Sequence, residues 1–194
     1  MTAIIVIPYG PSPLREQPLK NVLAHLETAP WPVTVAISDI KPFPLAEVVN
    51  AEVAQTKTDI VILHAADTIT PIAQMEVAVH AATAQPGLVF AYTHYVRLTE
   101  DDRRGKVLVE PPAHACVAIR RDCWDQLGGY DEFYRGWGME DLDFNRRAQA
   151  LWPNRRIPGE LIHFWHGDRR RDDSDLDTPA EVVAANWRHL KATG

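Results

Sequence analysis

The amino-acid sequence predicts an α/β fold in which helices flank a mostly parallel central sheet. The first observation is that short apolar runs alternate with longer helical patterns, which is typical of parallel strands joined by crossover helices. The second is that two of these apolar runs end in an aspartate, Asp39 and Asp67. Ligands of parallel sheets gather at the carboxyl ends of the strands, so both aspartates are candidate ligand-binding residues.

The elements follow one another regularly through the first 84 residues. "AIIVI" is a β-branched run closed by proline and glycine, and "PLREQPLKNVLAHLE" carries leucine and valine at helical spacing. Next come a strand in "VTVAISD", a helix in "LAEVVNAEVAQTK", a strand in "DIVILHAADTITP" and a helix in "TPIAQMEVAVHAATA". "GLVFAYTHYVRL" predicts a fourth strand. After it, short strands mix with a short helix near residues 123–127, and a last helix follows a polar Arg/Asp-rich loop.

Composition sets limits on the class of protein. The 194 residues are 46% hydrophobic and 24% charged, which favours one globular domain over residues 1–194. The formal charge of −6 argues against a surface built for nucleic acid or anionic membranes. Two cysteines indicate no disulfide framework, and the apolar run at the N-terminus is too short for a signal peptide or a membrane span. We therefore expect a cytoplasmic protein.

The segment "IHFWHGD" places His163 and His166 three residues apart. This spacing can present both imidazoles to one ion, and imidazole with carboxylate is a common ligand set for divalent transition metals. The alternative is two stacked or core histidines beside Trp165. For Asp67 alone, a turn residue or helix cap is the commoner reading. Together, Asp67, His163 and His166 would form a site with open positions, suited to a metal that holds phosphates.

The segment "GWGMEDLDFNRRA" joins two glycines, an aromatic ring and three acids at the predicted start of a helix. Glycines there permit positive φ or a close approach of the backbone to a ligand. Glu140, Asp141 and Asp143 fall in the first turn, where the helix dipole favours negative charge. A capped surface helix with a buried Trp137 would explain the same pattern.

The longer stretch "GGYDEFYRGWGMEDLDFNRR" resembles the Trp-Gly-x-Glu-Asp motif of beta-1,4-galactosyltransferases and related GT-A glycosyltransferases, including family 2 enzymes. The resemblance extends to "IIVIPYG", "REQPLKNVL", "AISD", "ILHAADTITP" and "IHFWH". One departure is Ala65, which replaces the first aspartate of the family's Asp-x-Asp. The chain is also short and lacks the transmembrane stem of Golgi members, which favours a bacterial or phage enzyme.

The resemblance implies a GT-A, Rossmann-like nucleotide-diphospho-sugar transferase fold. Its nucleotide-binding half would span residues 1–67, and its acceptor half with the metal site would span residues 68–194. It also implies a metal-dependent, inverting transfer of a hexose of the galactose, N-acetylgalactosamine or glucose type from a UDP-sugar to a hydroxyl. The cofactor would be Mn²⁺, with Mg²⁺ as the alternative. The implied site residues are Asp141 as catalytic base, Asp67, His163 and His166 as metal ligands, and Asp39, Arg15, Trp137, Gly138 and Glu140 as substrate-binding residues.

Alternative functions stay open at this stage. A retaining glycosyltransferase would share the fold and the metal, whereas a non-catalytic sugar-nucleotide or glycan-binding module would agree with Ala65. A metal-dependent hydrolase of another fold could use the same ligands but would not explain the Trp-Gly-x-Glu-Asp arrangement. The acceptor could be a saccharide, a lipid-linked glycan, a protein or a modified base in viral DNA, the last disfavoured by the negative charge. The loop with Arg169 to Arg171 is a candidate lid over the donor.

Overall fold

The protein is represented by a computed structural model that describes residues 2–136, 138–166 and 178–193. The first half of the chain contains β1 Ala3–Tyr9, α1 Pro13–Leu26, β2 Val33–Ile37, α2 Leu45–Gln55, β3 Ile60–His64, β4 Thr68–Ile69, α3 Ile72–Ala84, β5 Val89–Phe90 and β6 His94–Leu98. The second half contains β7 Arg104–Val109, β8 Cys116–Arg120, α4 Arg121–Leu127, α5 Glu140–Gln149, β9 Arg155–Arg156, β10 Glu160–His163 and α6 Ala180–Ala192. The alternation predicted for the first 84 residues is therefore confirmed.

The larger sheet has the strand order β2-β1-β3-β8-β5-β9. Strands β2, β1 and β3 are mutually parallel, while β8 runs antiparallel to both of its neighbours and β5 pairs parallel with β9. Every residue of β3 is buried, as expected for a central strand covered on both faces. Helix α2 packs on β1 and β2, and α3 packs on β8, β5 and β3. The α/β architecture predicted from the sequence is thus present.

A second sheet, of order β4-β10-β6-β7, was not predicted. The segment "GLVFAYTHYVRL", expected to be one strand, is divided between the two sheets as β5 and β6. The division occurs because the N–H groups of Thr93 and His94 both donate to the carbonyl of Gly159, which draws the chain onto β10. No proline or glycine lies between β5 and β6, so the sequence does not mark this change of partner. The second sheet matters because it brings His163, at the end of β10, close to the end of β3.

Both cysteines, Cys116 and Cys123, are free and buried, in agreement with the absence of a predicted disulfide framework. Within the three described ranges, no helix has the length and apolar character needed to cross a bilayer.

Candidate functional site

A cavity of about 510 Å³ opens at the carboxyl ends of β1 and β3. This volume falls within the range of small-molecule sites, roughly 300–1,000 Å³. The location is the one predicted from the strand ends. Its walls come from both halves of the chain. One wall includes Pro8, Gly10, Arg15, Phe43, Ala65 and Asp67, another includes Tyr95, Arg97 and His163, and a third includes His114, Tyr130, Gly138, Met139, Glu140, Asp141 and Trp187.

Strand pairing explains how Asp67 meets the two histidines. Asp67 directly precedes β4, and β4 pairs antiparallel with β10 so that His163 lies opposite Thr68. The Phe164 N–H donates to the carbonyl of Asp67 at 2.9 Å, which extends this ladder beyond the strand. The register therefore fixes His163 beside the carboxylate, although 96 positions separate them in sequence. His166 lies three residues further along the chain.

The three side chains converge within metal-binding distance. One oxygen of Asp67, Oδ2, lies 3.1 Å from Nε2 of His166 and 3.6 Å from Nε2 of His163. The two Nε2 atoms are 3.2 Å apart, and all three potential ligand atoms lie within 4.8 Å of one another. Burial alone would raise the pKa of Asp67, but the contacts with His163 and His166 and the charge of Arg15 hold it well below its usual range. An ionised carboxylate with two imidazoles fits the donor set of a divalent transition metal.

Ring packing holds one of these histidines in place. The His163 ring packs against Tyr95, with centroids 5.3 Å apart and planes tilted by 31°. The two histidine rings meet edge to face, with centroids 5.0 Å apart and planes at 64°. This packing is compatible with a ligand role, because the His163 ring still directs Nε2 toward Asp67.

The chain reaches α5 through an unusual backbone. Gly136 and Gly138 have φ of 63° and 98°, and Met139 is also left-handed at 81°. A Cβ added at Gly138 would touch nothing within 4 Å, so its backbone angle alone explains the glycine. A bulky residue in the left-handed region costs free energy and marks a backbone that its surroundings constrain. The predicted positive-φ turn ahead of the acids is therefore present.

Asp141 is held at the cavity by groups from two other segments. The backbone N–H of His114 donates to Asp141 Oδ2 at 3.0 Å. The hydroxyl of Tyr130 lies 3.5 Å from Oδ1 and 2.6 Å from His114 Nδ1. Burial raises the pKa of Tyr130 well above its usual value, and burial lowers the pKa of His114. At neutral pH Tyr130 and His114 are therefore both uncharged. The Asp141 side chain remains 29% exposed, so a ligand hydroxyl can donate a hydrogen bond to it.

The neighbouring acids are placed differently. Asp143 is buried, and its two oxygens pair with Arg146 at 2.8 Å and Arg147 at 2.7 Å. It is a structural acid that lies outside the cavity lining. Glu140 is also buried but lines the cavity next to Asp141.

The other predicted substrate-binding residues have mixed placements. Arg15 and Gly138 line the cavity, and the buried Nε of Arg15 has no hydrogen-bond partner within the described ranges. Asp39 follows β2 but is exposed and is absent from the described cavity wall. Trp137 and the candidate lid at Arg169 to Arg171 lie outside the described residues.

Sequence reasoning missed His114 and Tyr130, the partners of Asp141, and Trp187 on α6. His114 stands in "PPAHACVAIR" as a single histidine just before a short apolar run, and nothing in that segment links it to Asp141. Tyr130 was counted as part of a family motif and not as a hydrogen-bonding group. No periodic signal distinguishes Trp187 from an ordinary residue of an amphipathic helix.

Comparison with known proteins gives one family match. Residues 114–160, about a quarter of the chain, match the family described as the N-terminal domain of galactosyltransferase. This segment contains His114, Tyr130, Glu140 and Asp141. No curated protein matches the sequence at a significant level.

Several solved structures share the fold at low sequence identity. A mutant Drosophila β1,4-galactosyltransferase 7 with manganese, UDP-Gal and xylobiose has a TM-score of 0.67 and 14% identity, over 96% of this chain and 79% of that one. S. aureus TarS with UDP-GlcNAc has a TM-score of 0.70 and 10% identity, over 98% of this chain and 65% of that one. GalNAc-T7 with UDP, GalNAc and Mn²⁺ has a TM-score of 0.64 and 13% identity, over 98% of this chain and 50% of that one. These structures confirm the GT-A type of α/β fold that the resemblance predicted, and the galactosyltransferase family match is confined to residues 114–160.

Proposed function

We propose that the protein transfers a hexose of the galactose, N-acetylgalactosamine or glucose type from a UDP-sugar to a hydroxyl acceptor, with a divalent metal and with inversion at the anomeric carbon. The observation that carries the proposal is the placement of two different carboxylate centres on one cavity. Asp67 with its histidines lies at one end, and Asp141 with its neutral partners lies on another wall.

Asp67, His163 and His166 would hold the metal. When bound, a divalent ion supplies positive charge that stabilises the diphosphate leaving group. Arg15 adds a cation to the same end of the cavity, and its unpaired Nε can donate to a phosphate or nucleoside oxygen. Mn²⁺ suits the mixed oxygen and nitrogen donor set, with Mg²⁺ as the alternative.

Asp141 would act as the general base. Its Oδ2 accepts the His114 N–H, which fixes the carboxylate in the first turn of α5, and the Tyr130 hydroxyl lies near Oδ1. An acceptor hydroxyl in the cavity could transfer its proton to Asp141 as the new glycosidic bond forms. A base on one wall and a leaving-group site on another suit a single displacement, which inverts the anomeric carbon.

The ligands bound in the similar structures support the donor class. Manganese with UDP-Gal, Mn²⁺ with UDP, and UDP-GlcNAc occur in three proteins of this fold. A UDP-sugar and a divalent metal are therefore the first ligands to test on this chain. Xylobiose in one of them makes a saccharide the first acceptor to test.

A donor screen tests the proposal directly. The purified chain is mixed with UDP-galactose, UDP-N-acetylgalactosamine, UDP-glucose or UDP-N-acetylglucosamine, and released UDP is measured with manganese and with excess chelator. We expect release from at least one donor with manganese and its loss with chelator. Full activity in chelator would contradict the metal site. Absence of both release and UDP binding would contradict the donor class, and anomeric analysis of the product by NMR separates inversion from retention.

A further inference from the structure

Helix α6 places an aromatic side chain on the cavity wall that neither the family match nor the sequence analysis assigns. Trp187 lines the cavity and is 44% exposed, a large exposed fraction for a tryptophan. The family match ends at residue 160, well before this helix.

Hydrogen bonds fix the position of Trp187 along the cavity. The adjacent Asn186 is buried, and its Nδ2 donates to the carbonyl of Arg135 at 2.9 Å and to that of Gly138 at 3.4 Å. Gly138 lies three residues before Asp141, so Asn186 ties this part of α6 to the turn that leads into α5, and Trp187 next to it lines the same cavity as Asp141.

Three further contacts hold the helix in place. His189 Nε2 lies 2.7 Å from Asp131 Oδ2, and the His189 ring stacks on Phe133 with centroids 3.9 Å apart. Arg146 of α5 donates to the carbonyl of Leu190 at 2.9 Å. Because these contacts hold α6 against α5 and against the loop of Asp131 and Phe133, the backbone of Trp187 has a fixed position in the cavity wall.

The charges near this indole select the kind of ligand. Glu140 and Asp141 line the cavity directly after the turn that Asn186 contacts, and both acids would repel an anionic acceptor there. A neutral pyranose suits both features, since its C–H face can pack on an indole while its hydroxyls donate to carboxylates. A nucleic acid could also stack on tryptophan, but its phosphates would approach two acids.

We infer that Trp187 is an acceptor-binding residue, and that it packs against a sugar ring of a neutral saccharide acceptor. The inference rests on the proposed function, because it assigns the acceptor side of the same site. Trp187 would thereby position an acceptor hydroxyl toward Asp141 and take no part in donor or metal binding.

Indole NMR of the intact protein tests this assignment. The chain has six tryptophans, and the Nε1–H signal of Trp187 is assigned by its loss in Trp187→Phe. Xylobiose, cellobiose, chitobiose or a hydroxymethylpyrimidine oligonucleotide is added at millimolar concentration to protein with UDP and Mg²⁺. We expect a disaccharide to shift the Trp187 signal. The Trp31 signal should not change, because Trp31 precedes the amino end of β2, whereas the cavity opens at the carboxyl ends of the neighbouring parallel strands. No shift with any disaccharide, or a shift with the oligonucleotide alone, would overturn the inference.

Variants separate this inference from the proposed function. Trp187→Ala should weaken binding of the responding disaccharide by roughly five- to hundredfold, the range for losing a central aromatic contact, while Trp187→Phe retains part of it. UDP affinity by calorimetry should not change. Leu151→Ala is the control, because it removes another large exposed apolar side chain that lies outside the cavity lining. Equal losses in Trp187→Ala and Leu151→Ala would overturn the inference with the donor site intact. Failure of the wild type to bind UDP would instead count against the proposed function.

Discussion

The two ends of the cavity each present a carboxylate, but the groups around the two carboxylates differ. At one end, Asp67 faces two imidazole nitrogens through a single oxygen. At the other, Asp141 accepts a backbone N–H on one oxygen and has a buried hydroxyl near the second. The groups at Asp67 place several lone pairs where one metal ion can bind them. The groups at Asp141 fix a single carboxylate and leave part of it accessible to a ligand. The same residue type is therefore suited to different chemistry by its partners.

The largest predicted effect is the loss of turnover when Asp141 is replaced. Asp141→Asn keeps the shape and the hydrogen bond from His114 but removes the proton acceptor. Turnover should fall by roughly 10²–10⁴-fold, the usual contribution of a positioned base, while UDP affinity is retained. The measurements are transfer rate and UDP calorimetry. Near wild-type turnover in this variant would show that Asp141 is not the base.

Asp143→Asn, two residues further along α5, should lower stability and leave turnover nearly unchanged. Asp143 is buried between Arg146 and Arg147, so its neutralisation leaves two guanidinium groups without their charged partner. We expect a loss of about 2–3 kcal/mol in the free energy of unfolding. This is less than the cost of removing one partner of a buried ion pair entirely, because Asn still accepts a hydrogen bond. Turnover per folded molecule should change little. Urea unfolding and activity assays check both statements, and a large turnover loss without destabilisation would reverse the roles assigned to the two acids.

Each end of the cavity also holds a buried histidine, which makes folding pH-dependent. Burial lowers the pKa of His64 to about 4 and also lowers the pKa of His114. Because the unfolded chain binds these protons more readily, stability is complete above the unfolded pKa of about 6.5 and is lost as pH falls toward 4.

For His64 alone, the loss between pH 7 and pH 5 should be about 2 kcal/mol. Urea unfolding at both pH values measures it, and His64→Gln should reduce the difference. An unfolding free energy that does not fall between pH 7 and pH 5 in the wild type, or an equal fall in His64→Gln, would contradict this account.

The smallest of these effects concerns metal affinity at the Asp67 end. His166→Ala removes one of three candidate ligands and should weaken Mn²⁺ binding by at least about tenfold. His80→Ala is a suitable control, because His80 lies on α3 and outside both the cavity lining and the three-residue cluster. Calorimetric titration of Mn²⁺ into both variants with UDP present gives the comparison. Unchanged affinity in His166→Ala would remove this histidine from the metal site.

The sequence by itself determined the alternation of strands and helices, the acids at the start of α5, and the candidate identities of Asp67, His163, His166 and Asp141. These features are local or depend on a motif, so residue spacing and strand ends suffice to indicate them. The positive-φ glycines belong to the same class, since turn chemistry is a short-range property.

Tertiary structure decided which of these residues share a cavity and what surrounds each of them. The pairing of β4 with β10 brings His163 to Asp67, and the division of one predicted strand into β5 and β6 lets β6 pair with β10. His114 and Tyr130 reach Asp141 from 27 and 11 positions away, and α6 returns so that Asn186, next to Trp187, contacts Gly138. These contacts are set by strand register and helix packing over long sequence separations, which hydrophobic periodicity within one segment does not encode.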